Sequence, residues 1–140
     1  MERVIIQQDR DFRISVSAQR EGDSDSRPVT HIHDLSPYGM VLASLGLCTG
    51  VVIHTYAQHH EVDLEVAEME VAYHREYGDD SLSEGSYVEW IEETMRFEGD
   101  LTKKERGRLT HVGHQCSIRK MLTSGIEIRT EQATGRGEGT

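Results

Sequence analysis

The chain has 140 residues, 36% of them hydrophobic, with 15 Lys and Arg against 25 Asp and Glu and a formal net charge of -10. That length suits one domain able to bury about two thirds of its unfolded surface, and the acidic surplus lacks the clustered basic side chains that nucleic acid or an anionic membrane demands. Two cysteines are too few for a disulfide-built secreted scaffold, and Met1-Glu2-Arg3-Val4 opens without the basic region and apolar run of an export signal, so a reducing, cytoplasmic setting is expected.

The first 19 residues predict a hairpin. Arg3 to Gln8 is β-prone and Asp9-Arg10-Asp11 is a turn, after which Phe12, Ile14, Val16 and Ala18 alternate with polar residues. A polar loop, Arg20 to Arg27, leads to a short extended piece, Pro28 to His33. Ser36 then reads as an N-cap, with Pro37 at the first helical position, where its missing N–H is harmless. The helix runs to about Gln58 and carries no formally charged side chain from Leu35 onwards. Its apolar run, Met40 to Ile53, is shorter than the roughly 20 residues a membrane span needs, so it reads as a buried core helix.

Val62 to Tyr73 is the next strand. Val62, Leu64 and Val66 have one parity and Met69, Val71 and Tyr73 the other, which predicts a bulge near Ala67. Gly78 to Gly85 is a loop, and Gly78 to Leu82 with the glutamates of Glu61 to Glu76 reads as solvated surface. In the strand Tyr87 to Phe97, Tyr87, Ile91, Met95 and Phe97 share a face and Trp90 lies on the other. Thr102 and Glu105 form a capping box opening a helix from Lys103 to about His114. A short helix, Ser117 to Thr123, stops at Gly125, and Ile126 and Ile128 suggest a last strand. The expectation is a single α+β domain over residues 1–130, with a disordered tail over 131–140. A central helix apolar nearly all round must be covered on every side, which points to a homodimer with the helix buried between two subunits.

Cys48 lies mid-helix. By default it is a small buried hydrophobe, but Gly46 and Gly50 beside it need a reason, since glycine in a helix interior costs up to about 1 kcal/mol relative to alanine. Spaced four apart, they allow a close approach to one side of the helix. Cys116 sits at a junction of two helices, where the positive N-terminal end of the second, with Arg119 and Lys120 in its first turn, would favour its thiolate. The alternative is a thiol with no role. His111, His114 and Cys116, the pair His31 and His33, and the group His54, His59 and His60 lack the spacing of a specific zinc motif. No metal and no cofactor are expected.

Ser36-Pro-Tyr-Gly-Met-Val-Leu-Ala-Ser-Leu-Gly-Leu-Cys-Thr-Gly50 resembles the central-helix motif of the OsmC/Ohr family, in which the first redox cysteine follows the opening proline by eleven positions, as Cys48 follows Pro37. His114-Gln-Cys-Ser-Ile-Arg-Lys-Met-Leu122, leading to Gly125-Ile-Glu-Ile128, is similar to the family's second motif, with Ser117 where proline is usual. The spacing of 68 positions between the cysteines also fits. The resemblance implies an OsmC-like α+β fold of antiparallel sheets around a long central helix, an intertwined homodimer, and a thiol-dependent peroxidase acting on organic or inorganic hydroperoxides in oxidative stress defence. Cys48 would attack the peroxide to give a sulfenic acid, Cys116 would resolve it as a disulfide, and an external dithiol would reset the pair. The family also uses an arginine held by a glutamate. Here the position after the proline is Tyr38 instead of glutamate, and the arginine is assigned to Arg27, with Arg10 as the other choice. The rival reading is a non-catalytic dimer of the same fold that holds a small apolar ligand.

Overall fold

A computed structural model describes residues 1–78 and 86–135. It is an α+β structure with the element order β1 (Glu2–Asp9), β2 (Ile14–Gln19), β3 (Arg27–Pro28), α1 (Pro37–His59), β4 (Leu64–Tyr77), β5 (Tyr87–Gly99), α2 (Lys103–Gly113) and α3 (Ser117–Ser124). The five strands form one sheet in the order β3-β2-β1-β4-β5, with every pairing antiparallel.

Period-2 alternation places Val4, Ile6 and Gln8 of β1 and Ala67, Met69 and Val71 of β4 under α1, and all six are buried. Leu42, Leu45, Ile53 and Ala57 of α1 complete this layer, with Leu109 and Cys116 from the later helices. Each large side chain buried there contributes roughly 1.5–3 kcal/mol. Gly46 and Gly50 are what allow α1 to lie so close to the sheet. A Cβ on Gly46 would meet Ile6 Cδ1 at 3.0 Å, and one on Gly50 would meet Gln8 Oε1 at 2.5 Å and Met69 Cε at 2.7 Å. The helix begins where its cap requires, with Ser36 Oγ accepting from the Gly39 amide at 3.0 Å while donating to the Glu2 carboxylate. Although α1 is long and apolar enough by composition to cross a membrane, it packs here as the core helix.

Several sequence expectations are corrected. Phe12 belongs to the turn between β1 and β2, with a left-handed φ of 63°, and the alternating strand starts at Ile14. Of the expected extended piece, Pro28 to His33, only Pro28 is strand, joined by Arg27 before it and by a hydrogen bond from the Val29 amide to the Val16 carbonyl at 2.8 Å. The rest departs because Ile32–Asp34 turns into a 3-10 helix with the Asp34 carboxylate accepting from the Thr30 and His31 amides. The β4 bulge lies at Glu65 rather than Ala67, since Leu64 pairs with Gly99 and Val66 already pairs with Glu98. Ile126 and Ile128 form no strand: both are exposed beyond the Gly125 cap, and a three-residue alternation with no strand to pair with has no ladder to join. Residues 79–85 of the expected loop and 136–140 of the expected tail lie outside the described residues.

Candidate functional site

The α2–α3 junction sets the N-terminus of α3 against the middle of α1. Cys116 is the N-cap of α3, fully buried, and its sulfur accepts from the Arg119 amide at 3.4 Å. Ser117 follows as the first helical residue, and its Oγ lies 3.8 Å from the half-buried Cys48 Sγ. The structure therefore brings together the two cysteines that lie far apart in sequence.

Their electrostatics differ in direction. Burial pushes the Cys48 thiol up, but the thiolate is favoured more strongly by hydrogen bonds from the Cys116 thiol, the Ile118 amide, and the hydroxyl and amide of Ser117, so its pKa falls below the ordinary value. Burial pushes Cys116 up, and its role as donor to Cys48 pushes it further, against the Arg119 amide. The sequence reading is corrected here. It gave the helix-end effect to Cys116, but the cap position tucks Cys116 into the core and leaves the exposed first amides of α3 for the neighbouring Cys48. The two thiols are thus shifted in opposite directions, Cys48 toward its thiolate and Cys116 toward its thiol.

Arg27 and Arg10 are placed elsewhere in the chain. Arg27 is exposed on β3 at the far edge of the sheet, and Arg10 is paired with Asp63 at 3.0 Å beside the first turn. At the position where glutamate is usual, the Tyr38 hydroxyl accepts from Arg75 Nη2 at 2.7 Å, and the Arg75 guanidinium stacks over Tyr87 at 4.3 Å. Sequence reasoning did not single out Arg75. The histidines do not converge either. His31 stacks on His33, His60 on Tyr56, and His54 is buried with its Nε2 2.7 Å from the Gln8 carbonyl. Among the described residues no group of three or more His, Cys, Asp or Glu is placed to hold a metal.

Glu93 and Thr49 were also missed. Thr49, next to Cys48, donates to Glu93 Oε2 at 2.8 Å, and the other carboxylate oxygen lies 4.0 Å from Arg119 Nη1. Burial pushes the Glu93 carboxyl above its usual range, opposed by Thr49 and Arg119. The available signal was parity, because Glu93 shares the apolar face of Ile91, Met95 and Phe97. A cavity of about 520 Å³ opens beside it, lined among others by Leu45, Tyr73, Ile91, Arg119 and Leu122.

The model of the OsmC-like protein family matches residues 30–131, and the chain belongs to that family. Among solved structures, the chain is similar to an OsmC-like hydroperoxide resistance protein from Jannaschia sp. CCS1, at 13% identity and a TM-score of 0.61, covering 96% of this chain and 95% of that one. It is also similar to an OsmC-like protein from Mycoplasma pneumoniae, at 13% identity and a TM-score of 0.47, covering 85% of each. A search of curated protein sequences finds no match. At such identity the first of these structures establishes the fold, which is the α+β fold expected from the sequence.

Proposed function

We propose that the chain is a thiol-dependent peroxidase with a role in oxidative stress defence. The observation that carries this reading is the N-terminus of α3, capped by Cys116, set against Cys48, with Ser117 Oγ 3.8 Å from the Cys48 sulfur. The Cys48 thiolate attacks the terminal oxygen of R–O–OH, the O–O bond breaks, and the alkoxide leaves as ROH after taking up a proton. Cys48 becomes a sulfenic acid. The Cys116 sulfur then attacks it, its proton leaves with the hydroxyl as water, and a disulfide results. An external dithiol restores both thiols by exchange.

A second copy of the chain completes the reading. The outward face of α1 carries Val41, Ser44, Val51 and Thr55, with Leu47 and Cys48 half-buried among them, and no charge. A homodimer covering this stripe would place Cys48 at the interface and keep water from it. Arg27 serves the chemistry in this reading only when carried in by that second copy.

The test is thiol counting. A modest excess of cumene hydroperoxide is expected to consume both thiols and form one intrachain disulfide, with Cys48→Ser inert and Cys116→Ser halting at a sulfenic acid that dimedone traps. Retention of both thiols in the wild type overturns the proposal. The 520 Å³ cavity beside Glu93 favours the second reading, a small-ligand-binding dimer, which that result would leave standing.

A further inference from the structure

Glu93 is a buried ionisable group, beside the dithiol, that the thiol chemistry leaves unused. Its side chain is only 4% exposed, and its Oε1 has no hydrogen-bond partner. A buried carboxylate is costly to retain where an apolar residue would pack, unless its charge has a task. Thr49 from α1 and Arg119 from α3 contact it, and Tyr73 of β4, Glu89 of β5 and His114 at the end of α2 line the same cavity.

The contacts form a closed path around the dithiol. Thr49 follows Cys48 on α1 and is tied to Glu93, which faces the Arg119 guanidinium across 4.0 Å. The Arg119 amide is in turn bonded to Cys116 Sγ. We infer that Glu93 and Arg119 are positioning residues, an ion pair that holds the N-terminus of α3 onto α1 so that Ser117, whose Oγ lies 3.8 Å from the Cys48 sulfur, stays against it. This rests on Cys48 being the nucleophile. At 4.0 Å the attraction works through charge rather than a hydrogen bond, and the Arg119 side chain, 40% exposed, would otherwise extend toward solvent.

The charge of Glu93 makes the test decisive. Seen only as a nearby negative charge, Glu93 opposes the Cys48 thiolate, so Glu93→Gln would speed alkylation. As a clamp it supports the thiolate indirectly, and the same substitution slows it. Glutamine keeps an acceptor for Thr49 and the shape of the side chain. The experiment follows the iodoacetamide rate of Cys48 against pH in reduced protein, with cooperative urea unfolding as the check on folding. Glu93→Gln and Arg119→Met are each expected to slow the rate at pH 7 by roughly five- to tenfold, with the double variant little slower than either single one, and Arg119→Lys is expected to keep most of the rate. An unchanged or faster rate in Glu93→Gln overturns the clamp. So does strict multiplication of the two single effects in the double variant. No peroxide is involved, so a wild type that fails to reduce hydroperoxide while Glu93→Gln slows alkylation would overturn the peroxidase reading alone.

Discussion

The hydroxyl of Ser117 lies 3.8 Å from the Cys48 sulfur, one residue beyond the cysteine that caps the same helix. Ser117 thus offers Cys48 both its hydroxyl and its amide. Ser117→Ala removes the first donor. Ser117→Pro removes both and is tolerated at the first helical position. Hydrogen bonds to a charged group are worth more than neutral ones, so alkylation of Cys48 at neutral pH should slow by roughly threefold in the alanine variant and tenfold in the proline variant. Equal rates in all three proteins would remove Ser117 as a source of activation.

The uncharged outer stripe of α1 yields a second expectation. Val51 is 43% exposed in the single chain, so a charge there would be tolerated by an isolated protomer to within about 0.5 kcal/mol. In the proposed homodimer the same charge would be buried without a partner. Val51→Glu should therefore convert a wild-type dimer to a monomer with an unchanged far-UV spectrum, as read by sedimentation. A monomeric wild type at micromolar concentration would leave the stripe without its proposed cover.

Two glycines should respond with opposite sign. Gly50→Ala gains helix propensity of up to about 1 kcal/mol, but its Cβ would drive into Gln8 Oε1 and Met69 Cε at 2.5 and 2.7 Å. Crowding of that kind costs roughly 1–3 kcal/mol, so a net loss is expected. Gly107, inside α2, is open to solvent on the side a Cβ would occupy, with nothing within 4 Å of that position. Gly107→Ala should stabilise by about 0.5–1 kcal/mol. Urea unfolding of both variants decides, and equal shifts would contradict the close packing of α1 on the sheet.

These contrasts show why some of the molecule was readable in the chain and some was not. The starts of α1 and α2 were legible because Ser36 with Pro37, and Thr102 with Glu105, satisfy helix ends by local chemistry alone. That Cys116 lies near Cys48 was legible through the resemblance of the two motifs. Which thiol receives the amides of α3 was not, because that depends on α3 lying against α1, a tertiary fact no local pattern encodes. Ile126 and Ile128 misled for the complementary reason, since their alternation was genuine but a strand exists only with a partner. Glu93 lay between these cases: its parity marked it as facing the helix, and its charge made it look like surface.

Buried His54 should make stability depend on pH. Burial, the dominant influence, lowers its pKa from the ordinary 6.5, and the bond to the Gln8 carbonyl and the nearby Asp9 do not restore it. The fold holds the neutral ring, with Nε2 donating to the Gln8 carbonyl at 2.7 Å. The unfolded chain takes up a proton near pH 6.5 and the fold only lower, so the unfolded state binds more protons between those limits. Stability from this group is therefore fully present above about pH 6.5 and falls as the pH drops toward the folded pKa, with a slope of at most about 1.4 kcal/mol per pH unit. His54→Gln keeps an N–H donor for the carbonyl but does not titrate. Urea unfolding from about pH 7.5 to about pH 5 should show the wild-type advantage over His54→Gln shrinking as the pH falls, other titrating groups cancelling in the difference. A constant advantage would mean that the fold leaves the His54 titration unshifted, and a growing one that His54 enters the fold charged; either overturns the expectation.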